Sequence, residues 1–315
     1  MSETKTFEEL FLSENKDENL SIKELDILLV SDIHKNYAFL EKLKEWQIEN
    51  KKLIDYIFCT GDILSLSYPE NESLEIIAKS EAEISAIISF LENMSLNVIY
   101  LGGNHDPKSL FESEKMPSLT MRSINLHKKY KKLANDLYLV GLGGSVPAIK
   151  SHYNVDDKDF IPYIDVKDEI IWEGYPYNFP RENPNYKSSD EIFINDLNES
   201  WNLSRKEIEE NNTTQEKSFI LLTHCGPFYS STSVQESKGR CVYMGSIKLN
   251  EFLKQNKDIF INIHGHTHQG TGINNFDRLS VINPGSLSIG NFAVMKLKRN
   301  FYDKWEISKL EFLKF

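Results

Sequence analysis

Seven side chains in this sequence have the chemistry of metal ligands: Asp32, His34, Asp62, Asn104, His224, His266 and His268. Carboxylate and amide oxygens mixed with imidazole nitrogens suit Mn, Fe or Zn better than Ca or Mg, which prefer oxygen alone. The set lacks cysteine, which argues against a structural zinc site. An aspartate offers two oxygens and can bridge two cations roughly 3.5–4 Å apart. Two such ions share a water, whose pKa falls from 15.7 to about 7 on metal binding and yields hydroxide at neutral pH. The same charges neutralise a phosphoryl group and hold it for in-line attack. The chemistry expected is hydrolysis of a phosphoester by a metal-bridging hydroxide.

Taken singly, each of these residues reads as a polar cap at the end of a strand. Their positions together say more. Leu25–Val30 is a short apolar run rich in branched residues, as a buried strand should be. It runs into Asp32-Ile33-His34, and a helix capped by Asn36 follows, with Tyr37, Leu40, Leu43 and Trp46 on one face. Asp55–Thr60 runs into Gly61-Asp62, and Leu74–Met94 has helical character. Asn97–Leu101 leads to Gly103-Asn104-His105-Asp106, Ser218–Leu222 to His224, and Ile259–Ile263 to His264-Gly265-His266-Thr267-His268. Leu137–Val140 is a further strand, ending at Gly141-Leu142-Gly143-Gly144, and Leu279–Ile282, Phe292–Leu297 and Trp305–Leu310 are shorter β-like runs. Strands alternating with helices predict an α/β fold. In such sheets the carboxyl ends of the strands line the ligand crevice, so residues some 240 positions apart can meet there.

The bulk properties agree. A chain of 315 residues with 40% hydrophobic content can bury a large core. A net charge of -11 disfavours a duplex nucleic-acid partner. The three cysteines, Cys59, Cys225 and Cys241, match no zinc or disulfide spacing, and reduced thiols in a cytoplasmic protein fit best. Residues 1–23 read as a polar lead-in with a short helix around Phe7–Leu12 and no signal core, and no stretch is apolar for long enough to span a membrane. Residues 24–315 are expected to form one domain, with an insertion at about 145–216 that is rich in proline and aromatic residues. The insertion reads as an elaborated surface loop ending in a helix over Asp190–Glu210, or as a lid or partner site.

The five blocks Asp32-Ile33-His34, Gly61-Asp62, Gly103-Asn104-His105-Asp106, His224 and Gly265-His266-Thr267-His268 resemble the signature of the calcineurin-like metallophosphoesterase superfamily, from Leu25 to Ser286. The resemblance implies a four-layer αββα sandwich of two mixed β-sheets flanked by helices. It implies that Asp32, His34, Asp62 and His268 hold one divalent metal ion. Asp62, Asn104, His224 and His266 would hold a second, with Asp62 bridging. His105 would contact the phosphate or protonate the leaving group, and Asp106 would orient His105. No arginine follows Gly61-Asp62 closely, unlike in the superfamily's Ser/Thr protein phosphatases. Ser65 stands where purple acid phosphatases carry a tyrosine ligand. The phosphodiesterase-type branch remains, with a small phosphodiester as the expected substrate. Phosphomonoesterase or phosphoprotein phosphatase activity is the alternative, and a non-catalytic scaffold or binding subunit is a further one.

Other residues weigh less. Asn104, His105 and Arg240 are candidate substrate contacts, Arg240 because a guanidinium can fork onto phosphate. His264 reads as a buried support, His127 beside Lys128 and Lys129 as a solvated residue, and Cys225 as a packed thiol. His152 lies in the insertion and is a weak substrate-contact candidate. Asn283-Pro284-Gly285-Ser286 reads as a structural turn.

Overall fold

The computed structural model describes residues 22–67, 69–112, 122–154, 168–171, 174–177, 186–210 and 216–315. The expected helix around Phe7–Leu12 lies outside these residues, as do Phe160, Tyr163, Trp172 and Phe179 of the insertion.

Two six-stranded sheets stack face to face. The first contains β1 (Glu24–Val30), β2 (Tyr56–Cys59), β3 (Val98–Tyr100), β4 (Ile124–Asn125), β15 (Asn291–Arg299) and β16 (Trp305–Lys314), in the order β16-β15-β1-β2-β3-β4. β1 to β4 run parallel, and β15 and β16 close the far edge antiparallel. The second contains β5 (Lys129–Ala134), β6 (Leu137–Leu142), β9 (Ser218–Thr223), β12 (Ile259–Ile263), β13 (Gly272–Phe276) and β14 (Leu279–Asn283), in the order β13-β14-β12-β9-β6-β5. Its four central strands are parallel and its two edge strands antiparallel.

Alternation along each strand makes three apolar layers. Ile27, Leu29, Phe58, Ile99, Leu139, Leu222, Ile261 and Met295 fill the space between the sheets. Leu28, Val30, Ile57 and Val98 face outward, against α1 (Tyr37–Glu49) and α2 (Leu74–Glu92). Val140, Phe219, Leu221 and Ile259 face the opposite way, against α3 (Tyr186–Glu210) and α4 (Ile247–Gln255). This is the expected αββα sandwich. Asn36 caps α1 as expected, its side chain accepting from the Phe39 N–H, while Tyr37 turns out to solvent.

The insertion is more than a surface loop. Its described parts include β7 (Ala148–Asn154) and β8 (Glu169–Ile171), which join β10 (Val234–Ser237) and β11 (Arg240–Tyr243) in a third, antiparallel sheet ordered β10-β11-β7-β8. Tyr175 and Tyr177 are buried, and the Tyr177 hydroxyl donates to Asp196 on α3 at 2.9 Å.

Candidate metal centre

The five expected blocks converge at the carboxyl ends of β1, β2, β3, β9 and β12. Ligand atoms of Asp32, His34, Asp62 and His268 lie within 4.8 Å of one another, as do those of Asp62, His224 and His266. Asp62 belongs to both groups. Asn104 joins the second, its Oδ1 2.9 Å from His224 Nε2.

Short backbone links fix the carboxylates. The Asp32 N–H donates to Gly61 O at 2.9 Å and the His34 N–H to Asp62 O at 3.0 Å, tying the β1 and β2 ends together. The His105 N–H donates to Asp62 Oδ1 at 2.8 Å, and the His266 N–H to Asp32 Oδ2 at 3.1 Å. These turns need unusual backbone: Asp32, His34, Asp62 and His266 have φ of 51°, 50°, 51° and 64°. Left-handed non-glycine residues are uncommon and cluster at functional sites. Gly103 lets this happen, since a Cβ there would collide with the Asp62 backbone N and carboxylate.

One stretch of main chain aims three imidazoles. His224 Nδ1 donates to Thr60 O at 2.7 Å, His34 Nδ1 to Leu64 O at 3.0 Å, and His105 Nδ1 to Leu66 O at 2.8 Å. A carbonyl only accepts, so each ring carries its proton on Nδ1 and turns Nε2 inward. His224 Nε2 then faces Asn104 Oδ1 at 2.9 Å and Asp62 Oδ2 at 3.4 Å. His34 Nε2 faces His268 Nε2 at 3.2 Å and Asp62 Oδ2 at 3.8 Å. Lone pairs crowded in this way repel unless a cation lies among them. The residues therefore fit a metal centre.

The electrostatics agree. Burial opposes charge on Asp62, yet His224, His105 and His34 hold its carboxyl well below the usual range. Burial also opposes protonation of His224, but Asp62 and Asp32 raise it to about 9. His266 is driven down to about 3 by burial and by His224. The buried carboxylates thus attract positive charge strongly enough to place a proton on a buried imidazole, and a metal ion competes for the same lone pair.

One expected role is corrected. Asp106 does not bond the His105 ring. Its buried carboxylate accepts from the N–H groups of Ile63 (3.1 Å), Leu64 (2.8 Å) and Gly103 (2.8 Å). Leu66 takes the ring instead, and the Leu66 N–H returns to His105 O at 2.9 Å. Asp106 acts on His105 only through the main chain it holds.

His34, His105 and His268 are half-buried and form the open side, with ring centroids 5.4 Å apart for His34–His105 and 5.1 Å for His34–His268. Arg240 stands exposed at the start of β11, and no contact joins it to the cluster among the described residues. His152 pairs with Asp168 at 2.7 Å in the third sheet. His127 is buried rather than solvated: its Nδ1 accepts from the Gly143 N–H at 3.1 Å, and burial, then Lys128 and Lys129, push its pKa to about 3. Cys225 is buried, and burial raises its thiol to about 12.

Supports whose partners the sequence did not reveal lie behind the ligands. His264 Nε2 accepts from the Thr232 hydroxyl at 2.7 Å. Asn283 donates to Thr232 O at 3.2 Å and Thr267 O at 2.9 Å. Ser286 donates to Asp32 O at 2.9 Å. The Asn-Pro-Gly-Ser turn is thus structural, as expected, and it braces two ligand loops at once.

The sequence profile of calcineurin-like phosphoesterases matches residues 25–270. The chain belongs to this family and is a phosphoric ester hydrolase. No curated protein matches the sequence. Among solved structures, a protein from Thermus thermophilus is similar at 16% identity and TM-score 0.51, over 90% of this chain and 98% of that one. A dimetal phosphatase from Danio rerio is similar at 10% identity and TM-score 0.50, over 93% of this chain and 99% of that one. At such identities the likeness concerns the fold. Among the described residues, no helix is long and apolar enough to cross a membrane.

Proposed function

We propose that the chain hydrolyses a small phosphodiester at a dinuclear centre. Asp32, His34, Asp62 and His268 would hold one ion, and Asp62, Asn104, His224 and His266 the other. The observation that carries this reading is Asp62, whose carboxylate is shared by two groups of converging donors. Bound there, the ions would supply Lewis acidity toward phosphate and a hydroxide at neutral pH. Mn, Fe and Zn all suit this donor set.

The protein's own part follows from the rings. His105 has its Nδ1–H committed to Leu66 O, so in the doubly protonated ring Nε2–H is the position that gives a proton to the departing alcohol, leaving the neutral Nδ1–H ring. Its half-buried place beside His34, on the open side of the cluster, supports a contact with substrate. Asn104 keeps its amide against His224 and presents a further polar group to the phosphate. The diester preference rests on charge. The cation next to the cluster in sequence, Lys35, is tied to Glu83 at 2.6 Å, and Arg240 is outside the cluster. A diester carries one negative charge and needs less compensation than a monoester dianion.

The test is a panel assay on protein stripped with chelator and reloaded with Mn²⁺. It compares aryl phosphodiester and monoester, 2′,3′- and 3′,5′-cyclic nucleotides, and a phosphopeptide. Activity is expected to vanish with chelator, return with Mn²⁺ and favour diesters. A faster monoester or phosphopeptide would overturn the diester assignment. Undiminished turnover after chelation would overturn the metal centre.

A further inference from the structure

A second concave site lies between α4 and the β13–β14 hairpin, a cavity of about 490 Å³. That is within the range of roughly 300–1,000 Å³ typical of small-molecule sites. Leu253, Ile259 and Val281 are buried in its floor, Leu279 is half-buried, and the rings of Tyr229 and Phe276 stand 42% and 40% exposed on its walls. The two exposed rings are continuous with the aliphatic floor, and a contiguous apolar patch, unlike a singly exposed ring, marks a binding surface.

The rim carries charge of one dominant sign. Lys254, Lys257 and Arg278 line it against a single carboxylate, Asp277. All three cations are exposed, and among the described residues none has an ion pair within 4 Å. Nearby acids are engaged elsewhere: Asp258 with Arg205 at 2.7 Å, Glu251 with Lys248 at 2.8 Å, and Glu216 with Lys304 at 2.8 Å. In a chain of net charge -11, three cations without a close ion pair around an apolar hollow complement one kind of ligand.

We infer that this cavity binds an amphipathic organic anion, with an aliphatic body on the Leu253–Ile259–Leu279–Val281 floor and its anionic head among Lys254, Lys257 and Arg278. A medium-chain carboxylate is the simplest such molecule. The site is separate from the metal centre. Its floor uses the first residue of β12, whereas the metal-ligand candidates follow the last residue of that strand.

Calorimetric titration of the full chain with dodecanoate, below its micelle concentration, tests this. One dodecanoate is expected per chain, bound at least tenfold more tightly than the neutral dodecanol. Orthophosphate, an anion without an apolar body, is expected not to displace it. The combined substitution Lys254→Gln, Lys257→Gln, Arg278→Gln is expected to weaken dodecanoate at least fivefold and leave dodecanol unchanged. Leu279→Glu, at a half-buried position that need not unfold the protein, is expected to abolish both. Equal binding of acid and alcohol would overturn the inference, as would affinity unchanged in either variant. Concentration-dependent dimerisation that is lost in those variants, with no dodecanoate bound, would also overturn it in favour of a second copy as occupant.

Discussion

At the amino-terminal end of β6, Asp136 is 3% exposed and held by a guanidinium. Arg299 reaches it with Nη1 at 2.8 Å and Nη2 at 2.5 Å, and the Trp305 indole N–H adds a third bond at 3.1 Å. At the opposite ends of the strands, Asp32 and Asp62 are each 1% exposed and, among the described residues, meet only backbone N–H groups and imidazoles. Asp136, a buried carboxylate far from the site, is given a permanent cation in planar bidentate geometry. The carboxylates of the candidate metal centre are given partners that yield their lone pairs to an incoming ion. The contrast separates charge neutralised by the fold from charge the fold leaves for a ligand.

The largest effect should come from the ligand-holding end. Asp62→Ala is expected to lower turnover by more than about 10⁴-fold, the scale seen when one member of a catalytic unit is removed. Mn²⁺ at a hundredfold excess over its Kd should stabilise the wild type by about 2.7 kcal/mol and this variant far less, measured by thermal unfolding. Wild-type turnover in the variant would end the comparison. His105→Asn should reduce kcat by roughly 10²–10⁴-fold, more for alkyl than for aryl leaving groups, while the Mn²⁺ stabilisation persists. If the stabilisation vanished too, His105 would belong with the ligands.

At the other end, Arg299→Met should cost about 3 kcal/mol of stability by stranding Asp136, with turnover unchanged well below the melting temperature. Adding Asp136→Leu should restore part of that loss. The smallest effect concerns His127, whose pKa falls from 6.5 to about 3 in the folded protein, first through burial. Between those values the unfolded chain binds the extra proton, so stability falls as pH is lowered through that window, by up to about 1.4 kcal/mol per unit. His127→Asn should flatten that slope in denaturant titrations at pH 7, 6 and 5. An unchanged slope would show that His127 is not buried neutral.

The legibility of the sequence divides along similar lines. β1, β2, β9 and β12 could be read because strands buried on both faces are continuous apolar runs. β5 could not: Lys129-Tyr130-Lys131-Lys132 is charged, as suits an edge strand. β10 and β13 are short and largely polar, β11 has only four residues, and α4 spans only nine. The candidate ligands could be read because their side chains carry the chemistry and sit at strand ends. The orientation of their rings could not, because Thr60, Leu64 and Leu66 contribute carbonyls that every residue possesses. The same masking hid the task of Asp106, which receives backbone N–H groups. The lysines beside His127 suggested solvent, but the backbone turned that one ring inward against Phe111.

The seven residues from Thr60 to Leu66 thus act as a common datum for rings that come from three distant parts of the chain. An error in the placement of this loop is shared rather than independent. If thermal motion or a remote substitution displaces it, His34, His105 and His224 travel with it, and their mutual spacing suffers less than their absolute position. Because the datum is made of peptide carbonyls, the side chains of Thr60, Leu64 and Leu66 take no part in aiming the rings. The precision of the centre is stored in a part of the molecule that has almost no alphabet.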